Sequence, residues 1–376
     1  MEAGLIPSGN LQPGVATRSV AVSTPGKLIL MGEHAVVYGR PALIAAIDLR
    51  LTARISSAAG DAIRLELPSL PHLEEISRGG LRAYARAARE SWDEYSREPG
   101  PERFRAVRGE DPAHLVKVAL GEVLESLGET DGPGLRLRVE SDLPIGSGFG
   151  SSAATAVGVI AAYLAFSGAE IDPARIEKYA LEAERRQHGL PSGVDGATVL
   201  HGGLLSARRL PSGELETERI AARSPLLSRL RVFHTGMPPE PTGAVVAAVR
   251  GRRDRDPGLH DCILDRIEAA TRGFRGELER ESEDPDVTLE LIRECEACLE
   301  ELGVVPETAR EVVRRIEAEG GAAKISGAGS LAGPGAGSML VYHPDSERIS
   351  GWQFLQPFPF YPVHLGAEGL RRETDA

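Results

Sequence analysis

The chain has 376 residues, a net charge of −12, 41% hydrophobic residues and 26% charged residues. This is the make-up of a folded globular protein of two domains or one large α/β body. It excludes a disordered, collagen-like or disulfide-stapled chain, and the acidic balance argues against a duplex nucleic-acid binder.

Residues 1–18 read as a leader with scattered Gly, Pro and Ser, without the basic start and apolar core of a signal peptide. Ser19–Ser23 and Leu43–Ser56 are β-like, separated by a Gly- and Pro-punctuated stretch from Thr24 to Pro41. A further strand is predicted at Ala62–Leu67. Residues 72–128 read as mostly helical, with a charged break at Arg97–Pro112. Leu135–Glu140 alternates with the period of a half-buried strand. A glycine-rich turn, Pro144–Gly150, then leads into a small, apolar helix, Ser151–Phe166. A second helix is predicted from Pro173 to about Gln187, interrupted at His188–Ser192, and Gly202–Ala207 returns as a strand. A boundary is expected near residues 210–228. Beyond it a strand is predicted at Arg229–Thr235, helices at Thr242–Arg250, Pro257–Glu279, Val287–Leu302 and Pro306–Glu319, and strands at Ala322–Ser326, Ser338–Tyr342 and around Val363–Arg371. The longest apolar run, Ala156–Phe166, falls short of the ~20 residues that cross a bilayer. The three cysteines, Cys262, Cys295 and Cys298, build no disulfide framework, which favours a reducing, cytoplasmic setting.

Four segments carry candidate chemistry. In Ser23–Gly39 a lysine, an acid and a histidine (Lys27, Glu33, His34) sit inside an apolar stretch; the plain alternative is a turn whose polar side chains face water. In Pro144-Ile145-Gly146-Ser147-Gly148-Phe149-Gly150-Ser151-Ser152, three glycines and two serines precede a helix. Glycine lets backbone approach an anion closely, and the free N–H groups of a first helical turn point at it. Ser151 and Ser152 can reach phosphate oxygen or Mg²⁺, so phosphate binding is favoured over a turn kept for packing. The loop Lys324–Ser338 is rich in glycine and reads equally well as a linker. In Glu184–Asp195, Glu184 ends one helix and Asp195 follows a Pro-Ser-Gly turn. Metal ligation by Glu184 and catalysis by Asp195 stand against a plain charge at a helix N-terminus. Cys295-Glu296-Ala297-Cys298 has a C-x-x-C spacing but lies in an amphipathic helix with no second pair, and is read as packing. Arg250–Asp256 is read as a solvated loop.

Together these segments resemble the GHMP kinases, most closely the mevalonate kinases. Pro25-Gly26-Lys27 through Gly32-Glu33-His34-Ala35-Val36-Val37-Tyr38-Gly39 looks like the first motif of that group, Pro144–Ala154 like the ATP loop, and His188-Gly189 with Pro191-Ser192-Gly193-Val194-Asp195 like the segment bearing the catalytic aspartate. Gly202-Gly203 falls where the family also has a glycine pair. Two departures stand out: Gly327-Ala328-Gly329 is followed by a lengthened loop with a second glycine run, and Glu240-Pro241 precedes Thr242 where Arg-Ser or Ser-Ser is usual.

The resemblance implies an α+β two-domain GHMP kinase fold. Its N-terminal domain (19–215) would resemble domain 2 of ribosomal protein S5 and bind ATP, and its C-terminal domain (220–376) would be ferredoxin-like. It implies ATP-dependent phosphorylation of the 5-hydroxyl of mevalonate, in isoprenoid biosynthesis, with phosphomevalonate or another small-molecule acceptor as the alternative. ATP would lie on Pro144, Gly146, Ser147, Gly148, Phe149, Gly150, Ser151 and Ser152. Mg²⁺ would be held by Ser152, or Ser151 beside it, and Glu184. Asp195 and Lys27 would be catalytic. The acceptor would touch Lys27, Glu33, His34, Asp195, Gly327 and Ala328, and His188 would be structural. The short apolar run and the acidic balance predict no membrane or nucleic-acid partner, and the resemblance implies by analogy a homodimer. A non-catalytic sensor on the same fold is disfavoured because both Lys27 and Asp195 are present.

Overall fold

A computed structural model describes residues 18–98, 100–129, 131–144, 146–189 and 191–374; the leader lies outside them except for Arg18. The elements, in order, are β1 (Ser19–Met31), β2 (Ala42–Ala58), β3 (Ala62–Leu67), β4 (His72–Ser77), α1 (Arg78–Arg97), α2 (Pro101–Arg108), α3 (His114–Ser126), β5 (Gly134–Ser141), α4 (Ser151–Ser167), α5 (Pro173–His188), α6 (Val194–His201), β6 (Leu204–Arg209) and β7 (Leu215–Ile220). There follow α7 (Leu226–Arg229), β8 (Leu230–His234), α8 (Thr242–Arg255), α9 (Pro257–Glu279), α10 (Pro285–Glu301), α11 (Glu307–Ala318), β9 (Ala322–Ser326), β10 (Ser338–Tyr342), β11 (Phe360–Tyr361) and β12 (Arg371–Glu373).

Among the described residues these strands form two sheets. The first is ordered β12-β1-β2-β5-β3-β4, with β6 on β2 and β7 on β6. Its only parallel pair is β3 with β5. The second is ordered β11-β8-β10-β9 and is antiparallel throughout. Taken in chain sequence, that is fourth, first, third, second, the ferredoxin-like arrangement. Two 3₁₀ turns (Ser346–Gly351 and Gln353–Leu355) stand where a second helix would complete it. The expected division of the chain meets two corrections. β7 occupies residues 215–220 and belongs to the first sheet, and β12 returns from the far end of the chain to pair with β1.

Other local expectations are also corrected. β1 does not stop at Ser23 but runs on through Pro25 and Gly26, absorbing them with a register shift against β2. A Cβ on Gly26 would lie 2.4 Å from the Leu143 side chain, so glycine here serves close packing within a strand rather than a turn. Residues 72–77 form an edge strand before the helical region begins, and the charged break at 97–112 holds α2. Arg250–Asp256 is not a loop: α8 continues to Arg255, with Arg253 over the Tyr38 ring and Arg252 donating to the carbonyls of Leu302 and Gly303. The strand expected around Val363–Arg371 reduces to β12 and two isolated bridges, Ile47 with Leu365 and Gly202 with Glu368.

The small side chains of α4 let it sink onto the first sheet. All its residues from Ala153 to Phe166 except Thr155 are buried, and Gly158 faces Leu51 and Thr24. This contact fixes the N-terminus of α4, with the loop before it, against β1. The glycine pair has a comparable packing cause: Gly202 has φ +69°, and a Cβ there would come 2.1 Å from the backbone N of Gly369 in the returning tail. Cys295 and Cys298 are buried in α10 as free thiols, in line with a packing role. No helix among the described residues is long and apolar enough to cross a membrane.

Candidate active site

Strand β1 carries Lys27 between the N-termini of α4 and α6. Its ammonium lies 3.2 Å from a carboxylate oxygen of Asp195, with the lysine side chain 6% exposed and the aspartate 33%. Asp195 sits in the first turn of α6, behind a left-handed Gly193. A carboxylate there is favoured by the helix dipole. The turn leading to it is clamped from two sides. A Cβ on Gly189 would fall 3.2 Å from the Phe104 ring of α2, and one on Gly243, at the start of α8, 2.8 Å from the His188 carbonyl. Burial holds His188 below the usual histidine range, against the pull of the Asp195 charge.

The glycine loop lies on the other side of Lys27. Gly146, Gly148 and Gly150 all have positive φ, and Gly150 is the left-handed residue that opens α4. The Lys27 N–H donates to the Phe149 carbonyl at 2.9 Å. A Cβ on Gly150 would sit 2.6 Å from Lys27 Cγ, so the loop and the lysine are packed as one unit. Not every side chain of the loop faces the cleft. The Ser147 hydroxyl turns back to the Pro144 carbonyl, and the Phe149 ring is buried edge-on to Tyr361. The side chains of these two residues are engaged within the protein. Ser152 Oγ is buried with no hydrogen-bond partner.

Glu184, on α5, is buried beside this pair. Its carboxyl is pushed up to about 8, first by burial, then by the Asp195 charge, with Lys27 opposing. An orphaned hydroxyl and a buried carboxyl are oxygen donors of the kind a divalent cation takes. A cation would also supply the positive charge that Glu184 needs to ionise here. The residues thus fit the group the sequence implied. A separate cluster, His72, Glu74 and Asp111, also has metal-like spacing. There the ammonium of Lys117 binds both carboxylates, at 2.7 Å from Glu74 and 2.5 Å from Asp111, and provides the cation itself.

Glu33 differs from expectation. It is 1% exposed and forms a buried ion pair with Lys324 of β9, so it stands behind the cleft wall rather than along it. His34 is also buried, with φ +60°, and its Nε2 bonds the Ala328 carbonyl at 2.9 Å. Gly327 and Ala328 follow β9 directly and so reach this region, Ala328 through its carbonyl. The lengthened loop beyond them packs on the segment before α8. Ser330 donates to Glu240, and the backbones of Gly335 and Gly236 approach so closely that a Cβ on Gly335 would come 2.4 Å from Gly236. Lys324, Met237 against Gly146, and Arg252 were not assigned roles from the sequence. Of these, only Lys324, a buried-strand lysine in a lysine-poor chain, left a signal that could have been followed.

Glu296 of α10 accepts the Ile325 N–H, and burial pushes its carboxyl up to about 8. An unfolded glutamate releases its proton near 4.5. Between about 4.5 and 8 the unfolded chain has therefore lost a proton that the folded one keeps, and stability falls as pH rises. Each such group costs about 1.4 kcal/mol per pH unit. The Glu296 contribution is complete below about 4.5 and gone above about 8. Glu296→Gln, which keeps an acceptor for Ile325, should flatten the stability profile relative to the parent across that window. Parallel profiles in chemical denaturation would show that Glu296 is ionised in the folded protein.

Comparisons with known proteins agree on one family. The model for the GHMP kinases N terminal domain matches residues 114–203, the span that holds the glycine loop, Glu184 and Asp195. A mevalonate kinase of Bos taurus is 31% identical over 94% of this chain and 95% of its own. One from Methanothermobacter thermautotrophicus is 30% identical over 86% and 90%. The crystal structure of Methanococcus jannaschii mevalonate kinase superposes with a TM-score of 0.70 at 20% identity, covering 94% of this chain and 99% of that one. The structural likeness speaks for the fold. The sequence likeness, spanning nearly the whole of both chains, makes this protein an ATP-dependent small-molecule kinase that belongs to the mevalonate kinase family of the GHMP kinases.

Proposed function

We propose that the protein transfers the terminal phosphoryl group of ATP to the 5-hydroxyl of mevalonate, giving 5-phosphomevalonate and ADP. The observation that carries this reading is the Lys27–Asp195 pair, packed against the glycine loop at the N-terminus of α4. Phosphoryl transfer asks for positioning and charge stabilisation more than for covalent chemistry, and this cleft offers both. The backbone N–H groups at the start of α4 would hold the nucleotide phosphates. Asp195 would accept or orient the proton of the acceptor hydroxyl. Lys27, held beside it, would offset negative charge growing on the transferred group. Ser152 and Glu184 would hold Mg²⁺, whose chemistry is to neutralise phosphate charge. His34 and the Gly327–Ala328 segment would border the acceptor. The first sheet with α1–α6 would serve the nucleotide, and the second sheet with α8–α11 would close the acceptor side.

The choice of acceptor rests on the relatives, whose names specify mevalonate. Purified protein incubated with ATP, Mg²⁺ and either mevalonate or phosphomevalonate should form ADP with the first. Turnover of phosphomevalonate alone would reassign the acceptor, and turnover of neither would reject the reading.

A further inference from the structure

Behind the catalytic pair lies a second lysine–carboxylate pair, Lys324 with Glu33, each 1% exposed. It is one of three contacts that β9 and its continuation make with one short segment. Lys324 Nζ binds the Glu33 carboxylate and, at 2.7 Å, the Ile325 carbonyl. Ser326 Oγ donates to the Ile29 carbonyl at 2.8 Å. The Ala328 carbonyl meets His34 Nε2 at 2.9 Å. Lys324 and Ser326 are two apart on β9, so the strand presents both on one side; Ala328 follows Gly327, which leaves the strand at φ +106°, and meets the same segment through its backbone carbonyl. All three partners fall between residues 29 and 34, the end of β1 and the turn after it. From α10, the Glu296 carboxyl group fixes the same strand at the Ile325 N–H.

This three-point clasp joins the second sheet to the strand that carries Lys27. It also explains a local strain. His34 is a non-glycine residue at φ +60°, a conformation that persists only where its surroundings hold it, and Ala328 and the neighbouring Glu33–Lys324 pair do so. Neither Lys324 nor Glu33 is exposed enough to meet a substrate directly.

We infer that Lys324 is a positioning residue for the acceptor side of the cleft, acting through Glu33 to set the turn that carries His34. The inference rests on the kinase reading above. It predicts that losing Lys324 damages acceptor binding and leaves the nucleotide site, built on α4, largely alone. Lys324→Met by itself also strands a buried carboxylate, which is disruptive in its own right. Glu33→Gln and the double variant Glu33→Gln/Lys324→Met separate the two effects, because the double variant carries no unpaired charge.

The experiment is steady-state kinetics with ATP and mevalonate on the four proteins, together with direct titration of a non-hydrolysable ATP analogue. In Lys324→Met, KM for mevalonate should rise about tenfold or more while nucleotide Kd stays within about twofold, and the double variant should recover part of the loss. An unchanged KM for mevalonate in folded Lys324→Met overturns the inference. So does an equal loss of acceptor and nucleotide affinity, which would mark a merely structural residue, or a double variant with the wild-type KM, which would assign the whole loss to the stranded charge. Where Lys324→Met does not fold, Glu33→Gln and the double variant supply the same comparison of acceptor against nucleotide. Wild-type protein that turns over neither mevalonate nor phosphomevalonate sinks the kinase reading and this inference with it. An active wild type with an unmoved KM in the variants sinks this inference alone.

Discussion

Asparagine in place of Asp195 should lower kcat by a factor on the order of 10²–10⁴, the usual worth of a positioned proton acceptor, while nucleotide Kd stays within about twofold. The substitution keeps the shape of the side chain and the first turn of α6, and removes only the charge and the ability to take a proton. The loss of charge falls on the Lys27 ammonium, the more buried member of the pair, but the asparagine amide oxygen can still accept a hydrogen bond from it. The variant should therefore fold, and the effect should fall on the chemical step. Lys27→Met should also cut kcat. The two side chains lie 3.2 Å apart and act as one unit, so the double variant should lose little more than the worse single variant. Near-normal turnover in Asp195→Asn would remove the aspartate from the reaction. Strictly multiplicative losses in the double variant would show that the two groups act independently.

Much of this site could be read before any coordinates. The glycine loop pointed to phosphate on physical grounds, because glycines before an apolar helix have a use there, whereas the meeting of the lysine-bearing segment and the aspartate turn with it was implied by the resemblance to the GHMP kinases. What escaped was whatever depends on side chains meeting across elements. Pro25 and Gly26 read as punctuation, yet they lie within β1, because a register shift accommodates them and Leu143 and Ile47 fill the space beside Gly26. Glu33 read as a pocket residue because the Gly32-Glu33-His34 segment resembles the first motif of the family. Its burial became visible only once Lys324, far along the chain, was seen to neutralise it. The edge strand His72–Ser77 has helix-tolerant residues and gains its conformation from pairing with β3. The return of β12 to β1 is a pairing between the two ends of the chain, for which local sequence carries almost no signal.

Gly150→Ala should reduce kcat by on the order of a hundredfold, and the same change at Gly146 should cost far less. Both glycines have positive φ, so alanine brings each a backbone strain of roughly 1–2 kcal/mol. The neighbours differ. At Gly150 the new methyl group would sit 2.6 Å from Lys27 Cγ and 3.2 Å from Lys27 Cε. Ordinary van der Waals contact begins near 3.5–4.0 Å, so the lysine or the loop must yield by about 1 Å. A displacement of that size at a reacting centre can cost about 10²-fold. Lys27 has little room to retreat, being 6% exposed and tied through its backbone N–H to Phe149. At Gly146 the nearest atoms to the methyl group all belong to the Met237 side chain, which is 60% exposed and can swing away into solvent. The contrast tests what the glycines are for. If the loop is glycine-rich so that backbone can approach phosphate, both substitutions should raise nucleotide Kd alike and spare kcat at saturation. If Gly150 exists to let Lys27 lie against the loop, its replacement should depress kcat even at saturating ATP, and the shift should be absent at Gly146. Saturation kinetics of the two variants would separate the cases, and equal losses at both positions would refute the packing role assigned to Gly150.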